Sequence, residues 1–420
     1  MTDRQTIQKT TLGNGLRVVT ESIVGSRSAS IGAWFAVGSR DETPERSGVS
    51  HFLEHLLFKG TEDRSARVVA EMIDGVGGDM NAFTAREHTA FYARVPSSAR
   101  ETTADVLFDV LRRPALRESD VDAERLVINE ELIAAYDTPD DVVHIVLYEA
   151  LFPEHALGRE VLGDPESIRA MRSDDIAEFH AQWYRPANLV IAAAGDIDHD
   201  AIVAIADSHF GDLEIGEQPN RVRVGGSTPS PTIVGTELPV EQLHVALGWR
   251  GLSHDDPRRY ALAIANQILG GSPSSRLFQS IREDQSLAYT VFSSTSGYAD
   301  VGSASVYAAT STQRGPELLA ALTDEMAALV EAGVTDHELE LARTGFEGSV
   351  ILGLEDSGSR MSRIATSEAL RGNIVPIDIF LERLNAVSID DVNSVISDVY
   401  GGDVITSLVG PPEALASCGC

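Results

Sequence analysis

Ser30-Ile31-Gly32-Ala33-Trp34 returns as Val245-Ala246-Leu247-Gly248-Trp249, an offset of 215 residues in a chain of 420. Both runs are short, largely apolar and read as strands. Each leads into a helical pattern, carried by Val49, Phe52, Leu53, Leu56 and Leu57 in the first case and by Leu262, Ile264, Ala265, Ile268 and Leu269 in the second. Thr89-Ala90-Phe91-Tyr92-Ala93 and Ala304-Ser305-Val306-Tyr307-Ala308 stand apart by the same 215 residues. Three corresponding elements at one offset imply duplicated halves. The densest Gly/Pro/Ser stretch, Gly216-Glu217-Gln218-Pro219-Asn220 followed by Gly225-Gly226-Ser227-Thr228-Pro229-Ser230-Pro231, lies near the midpoint and reads as a linker. The expected organisation is therefore α+β, with one domain over 1–215, a linker over 216–231 and a second, similar domain over 232–420.

Composition narrows the function classes. Apolar residues make up 43% and charged residues 23% of the chain, close to soluble globular averages. A formal charge of −31 repels nucleic acid phosphates and anionic lipid, so neither is an expected partner. The acidity either keeps the protein soluble or favours cationic substrates. The only cysteines, Cys418 and Cys420, are too close together to staple a fold. The first residues lack the basic and apolar regions of a signal peptide, and no apolar run reaches the ~18–20 residues of a membrane span. The expectation is a soluble, cytoplasmic protein.

The chemistry is concentrated in His51-Phe52-Leu53-Glu54-His55. Residues four apart on a helix share a face, so the two imidazoles can converge on one cation while Glu54 stands ready to accept a proton from a metal-activated water. Composition alone gives about 0.04 expected matches to this pattern in a chain of this make-up. A catalytic zinc usually takes a third protein ligand. Asp122-Ala123-Glu124-Arg125-Leu126-Val127-Ile128-Asn129-Glu130-Glu131-Leu132 offers several, and Glu124 and Glu131, seven apart, project from one side of a helix. Spacing alone leaves the choice among Glu124, Glu130 and Glu131 open. His88, His144, His155, His180 and His199 show no convergent spacing and read as surface or supporting residues. Gly75, Gly77 and Gly78 form no phosphate-binding fingerprint, and no Gly-x-Ser-x-Gly elbow occurs.

His51-x-x-Glu54-His55, followed 76 residues after His55 by Glu131, resembles the inverted zinc motif of the pitrilysin/insulinase metallopeptidases, the inverzincins. The resemblance extends to Gly77-Gly78-Asp79-Met80-Asn81-Ala82-Phe83-Thr84, Tyr184-Arg185-Pro186-Ala187-Asn188-Leu189, Ala194-Gly195-Asp196, and Leu269-Gly270-Gly271 with Ser275-Arg276-Leu277-Phe278. It is closest to the branch of mitochondrial processing peptidase β subunits and their bacterial relatives. It implies that His51, His55 and Glu131 bind one zinc ion, that Glu54 is the general base and that Glu124 is the supporting acid. It also implies that Arg282 and Tyr289 reach the bound peptide and its scissile carbonyl; by themselves Tyr289 reads as a core aromatic and Arg282 as a surface charge. Asn81, Ala82 and Phe83 resemble the family's substrate-binding edge strand, although Asn81 also suits a turn after two glycines. An edge strand binds an extended peptide through its backbone groups.

Shifting positions 51, 54 and 55 by 215 gives Asn266, Leu269 and Gly270, which cannot reproduce the triad. The second half thus keeps the scaffold without the metal. The family fold implies two similar domains facing each other around a chamber that admits peptides or unfolded segments. Gly270-Gly271-Ser272-Pro273-Ser274-Ser275 is short where the mitochondrial α subunit has an extended glycine-rich loop. With the zinc motif and the Arg/Tyr pair on one chain, the expectation is a self-sufficient zinc endopeptidase, a homodimer by family resemblance. The alternative is a non-catalytic scaffold or peptide-binding subunit of the same fold; such subunits usually carry eroded zinc motifs. His/His/Glu ligation also accepts cobalt or manganese.

Overall fold

The computed structural model describes residues 6–225 and 230–420, so residues 226–229 of the expected linker lie outside the described residues. Eleven strands are present among the described residues: β1 Thr6–Thr11, β2 Arg17–Ser22, β3 Ser28–Phe35, β4 Asp79–Thr84, β5 Thr89–Pro96, β6 Leu189–Gly195, β7 Thr232–Glu237, β8 Gln242–Gly251, β9 Val291–Gly297, β10 Gly302–Ser311 and β11 Ile405–Gly410. They form two sheets, ordered β1-β2-β6-β3-β5-β4 and β7-β11-β8-β10-β9.

Leaving out β1, the two orders correspond strand for strand. β2 runs parallel to β6 as β7 does to β11. The remaining pairs, β6/β3, β3/β5 and β5/β4 against β11/β8, β8/β10 and β10/β9, are all antiparallel. The repeat inferred from Trp34 and Trp249 thus holds at the level of topology, with those residues on β3 and β8.

The chain divides into two compact units, and both are discontinuous. One comprises Met1–Leu132, Arg159–Arg221 and Ile351–Ile374; the other comprises Ile133–Gly158, Val222–Val350 and Val375–Cys420. Each takes a segment from the other half of the sequence, so the compact bodies divide the chain differently from the expected 1–215 and 232–420.

The exchanged segments are helices in equivalent places. Ser357–Arg371 lies on β2, β6 and β3, where Met361, Ile364 and Ala365 pack against Val19, Trp34, Val190 and Ala192. Pro139–Leu151 lies on β7, β11 and β8, where Val143, Leu147 and Leu151 pack against Ala246, Ile405 and Val409. Fully burying such an aliphatic side chain contributes about 1.5–3 kcal/mol. Polar contacts fix the register of the first of these helices. Glu21, fully buried on β2, pairs with Arg360 at 2.7 Å, and Ser30 Oγ meets Ser357 Oγ at 2.9 Å. On the other sheet Gly248 brings the helix close, since a Cβ there would stand 2.7 Å from Leu147 Cδ1.

Helices therefore cover both faces of each sheet, and this explains the sequence pattern. β3 and β6 are buried almost throughout and read as apolar runs, whereas β4 alternates between exposed and half-buried residues. The main cores pack around Phe35, Phe52, Phe91 and Phe108 in one unit and around Val245, Ile264, Leu322 and Val395 in the other.

Candidate metal centre

The Val49–Leu57 helix buries Val49, Phe52, Leu53, Leu56 and Leu57, which turns His51, Glu54 and His55 to its other face. Its start is held by an unusual cap. Gly48, at φ 88°, provides no side chain, and the carboxylate of Glu42 instead accepts the Gly48 and Ser50 N–H groups at 2.7 and 2.8 Å. A negative group at a helix N-terminus is favourable. Burial nevertheless raises the Glu42 pKa to about 7.

The Glu118–Asp137 helix buries Val121, Ile128 and Leu132, and Glu124 and Glu131 project towards the histidines. Glu131 Oε2 lies 3.4 Å from His55 Nε2 and 3.7 Å from His51 Nε2. One ligand atom from each of the three residues falls within 4.8 Å of the others, the only such group found among the described residues. Glu131 Oε2 is buried without a hydrogen-bond partner, an acceptor that a cation would satisfy. Glu124 sits behind the cluster, with Oε2 2.9 Å from His55 Nδ1 and Oε1 2.5 Å from Lys59 Nζ. Glu130 is exposed and outside the cluster. Geometry thus separates three carboxylates that spacing left equivalent.

The electrostatics follow burial. Burial and the neighbouring His55 lower the His51 pKa to about 4, which keeps its imidazole neutral, as a metal ligand must be. Burial, with Glu131 adding to it, raises the Glu54 pKa against the opposing Thr84 hydrogen bond and His55. Burial would also raise Glu124, but hydrogen bonds from Lys59 and His55 outweigh it and hold that carboxyl below its ordinary value.

β4 is the outer strand of its sheet, and Thr84 Oγ1 at its end donates to Glu54 Oε2. Asn81 lies within the strand and not in a turn, and its Oδ1 accepts from the Ala82 N–H at 2.8 Å. Phe83 is partly exposed and meets His88 edge-on at 5.4 Å.

Arg282 and Tyr289 lie on the other unit. The Arg282 guanidinium is 4.5 Å from the ring centroids of both Phe278 and Tyr289, a cation–π contact with each. Tyr289 is 79% exposed, which corrects its reading as a core aromatic. Between them Ser286 takes the left-handed conformation, at φ 49°. A second correction concerns two histidines read as surface or supporting residues. His199 is buried between Thr10 and Thr20, and His180, largely buried, reaches the Leu111 carbonyl at 2.8 Å. Both serve packing within their unit.

Sequence reasoning missed Lys59 and Glu42. Lys59, one of two lysines and one turn after His55, carried a usable signal. Glu42 carried none, because its role depends on how the preceding loop folds back onto the helix.

Residues 17–165 match the family model described as insulinase (peptidase family M16), and residues 170–346 match the one described as peptidase M16 inactive domain. An uncharacterized zinc protease of Streptomyces coelicolor is 43% identical, covering 97% of this chain and 90% of its own. One from Bacillus subtilis is 37% identical, covering 98% of this chain and all of its own. Among solved structures, a protease from Helicobacter pylori superposes with a TM-score of 0.89 at 21% identity, covering 97% of this chain and 100% of that one. A putative M16-like peptidase from Alicyclobacillus acidocaldarius gives 0.86 at 21%, covering 98% and 99%.

Proposed function

Because this chain belongs to peptidase family M16, the insulinase family, we propose that it is a zinc endopeptidase for peptides or unfolded segments, with His51, His55 and Glu131 as metal ligands and Glu54 as general base. The observation that supports this most directly is the convergence of the three ligand atoms within 4.8 Å. Two imidazole nitrogens and one carboxylate oxygen are a donor set that suits zinc and leaves a position open. Zinc held there supplies Lewis-acid polarisation of a carbonyl and lowers the pKa of water towards ~7.

Glu54 takes the proton of the attacking water and returns it to the departing amine. Its raised pKa suits a group that must do both near neutral pH. Thr84 holds one oxygen of Glu54 and so aims the other. Glu124 accepts from His55 Nδ1–H, which reserves Nε2 as the lone-pair donor, and Lys59 offsets the charge that Glu124 brings. Arg282 and Tyr289 bind the peptide and stabilise the oxyanion that develops on its carbonyl. Asn81, Ala82 and Phe83, on an outer strand, bind the substrate backbone by strand addition.

A homodimer and a cytoplasmic location belong to the same proposal. No helix among the described residues is long and apolar enough to cross a membrane. The deciding experiment is hydrolysis of a quenched-peptide library by the purified chain, with 1,10-phenanthroline, zinc add-back and Glu54→Gln in parallel. Cleavage that requires both the metal and Glu54 is expected. A folded, zinc-loaded chain that cleaves nothing would move the assignment to a peptide-binding scaffold.

A further inference from the structure

Tyr184-Arg185-Pro186-Ala187-Asn188-Leu189 takes no part in the proposed chemistry, yet its first two residues, Tyr184 and Arg185, line a cavity of about 340 Å³ in the same unit as the histidine pair. The cavity is lined by Arg112, Arg113, Arg185 and His180 together with apolar side chains such as Leu116 and Leu213, and no carboxylate lines it. In a chain with 64 acidic and 33 basic residues, a cavity wall that presents three arginines and no acid stands out.

The three arginines are not equivalent. Arg113 is committed to the buried Asp109, and Arg112 bonds the His209 carbonyl and, at 3.3 Å, Asp212. Arg185 donates through Nε to the Ala181 carbonyl at 2.5 Å, and no carboxylate pairs with it among the described residues. Its stem packs against Gly216, at φ 76°, where a Cβ would stand 2.4 Å from Arg185 Cβ. The guanidinium is thus anchored through Nε with its two outer nitrogens uncommitted, so part of its side-chain freedom is already spent before binding. Burial and then the charges of Arg185 and Arg112 lower the His180 pKa to about 4 against the Leu111 carbonyl, so the imidazole stays neutral beside them.

We propose that this cavity binds a small organic carboxylate, its two oxygens taken side by side by Arg185 and its apolar body seated against Leu116 and Leu213. A planar carboxylate matches the guanidinium fork, and the single uncommitted arginine matches a single negative charge.

The test is calorimetric titration of the purified full chain with 4-methylbenzoate, 4-methylbenzamide and phenyl phosphate. Titration of His51→Ala in parallel subtracts any binding at the histidine cluster. The expected result is saturable binding of the benzoate, about tenfold weaker binding of the amide and unchanged binding in His51→Ala. Arg185→Gln should weaken the benzoate by about tenfold, and Arg67→Gln, at an exposed arginine elsewhere, should not. Ala177→Phe, a substitution at an exposed wall position, should block the cavity and serves if Arg185→Gln fails to fold. Equal affinity for benzoate and amide, full binding in Ala177→Phe, or no saturation up to about 10 mM would overturn the proposal. Tighter binding of phenyl phosphate than of benzoate would overturn the choice of carboxylate.

Discussion

The two copies of the repeat place a helix beside an outer strand and then diverge in the space between. In the first, the Val49–Leu57 helix faces β4 through polar side chains, and Thr84 reaches Glu54 across the gap. In the second, the Arg259–Gly270 helix sits directly against β9. A Cβ on Gly270 would lie 2.4 Å from the Ser293 backbone nitrogen, and Ser293 Oγ donates to the Asn266 carbonyl at 3.1 Å. Leu269, where the first copy has Glu54, is fully buried. The same scaffold thus carries polar side chains between helix and strand in one copy and a closed core in the other. Asn266, Leu269 and Gly270 stand where the first copy has His51, Glu54 and His55.

The largest expected effect breaks the comparison at its chemistry. Glu54→Gln should retain zinc, by metal analysis, and lower the turnover of a cleaved peptide by about 10²–10⁴-fold. Its counterpart, Leu269→Ala, should leave zinc content unchanged and destabilise the fold by about 2–5 kcal/mol in urea unfolding. Gly270→Ala sharpens the contrast, because its new methyl meets backbone; overpacking of about 1–3 kcal/mol is expected in the same assay.

The helix starts differ in sign. Glu42, raised from 4.5 to about 7, binds more protons folded than unfolded, so its contribution to stability falls as pH rises between those values. The full swing is roughly 3 kcal/mol, and Glu42→Gln should remove it from the melting temperature measured against pH. At the second helix the Arg258 N–H is taken by Asp256, whose pKa the Arg258 hydrogen bond lowers. That contribution is lost as pH falls below the ordinary aspartate range, and Asp256→Asn should flatten the acid side of the profile instead. The smallest effect tests the support of the metal ligand: Glu124→Ala should weaken zinc by about 10–100-fold in a competition titration with a chelator.

The halves and the candidate ligands were legible because they rest on local periodicity. A constant offset exposes a duplicated sheet, and His51 and His55 one turn apart must share a face. The choice of Glu131 over Glu124 and Glu130 was legible only through the family resemblance, since spacing alone says nothing of the angle at which the Glu118–Asp137 helix crosses the histidines. The same holds for the exposure of Tyr289, which the resemblance implied and which an aromatic side chain read by itself does not reveal. The exchange of Pro139–Leu151 and Ser357–Arg371 was hidden for a plainer reason. An amphipathic helix specifies that it needs a sheet, and two sheets with the same topology offer equivalent seats.

That exchange sets a timetable for synthesis. The first sheet is complete in sequence at Gly195, the end of β6, but the helix that covers β2, β6 and β3 ends at Arg371. At ribosomal speeds of about 5–20 residues per second, the N-terminal sheet waits on the order of 10 s or longer with Trp34 and Val190 uncovered. The Pro139–Leu151 helix, by contrast, emerges before any strand of the sheet it serves. The unit that holds the histidines is begun first and finished late, so a nascent chain completes that unit only when synthesis is nearly over.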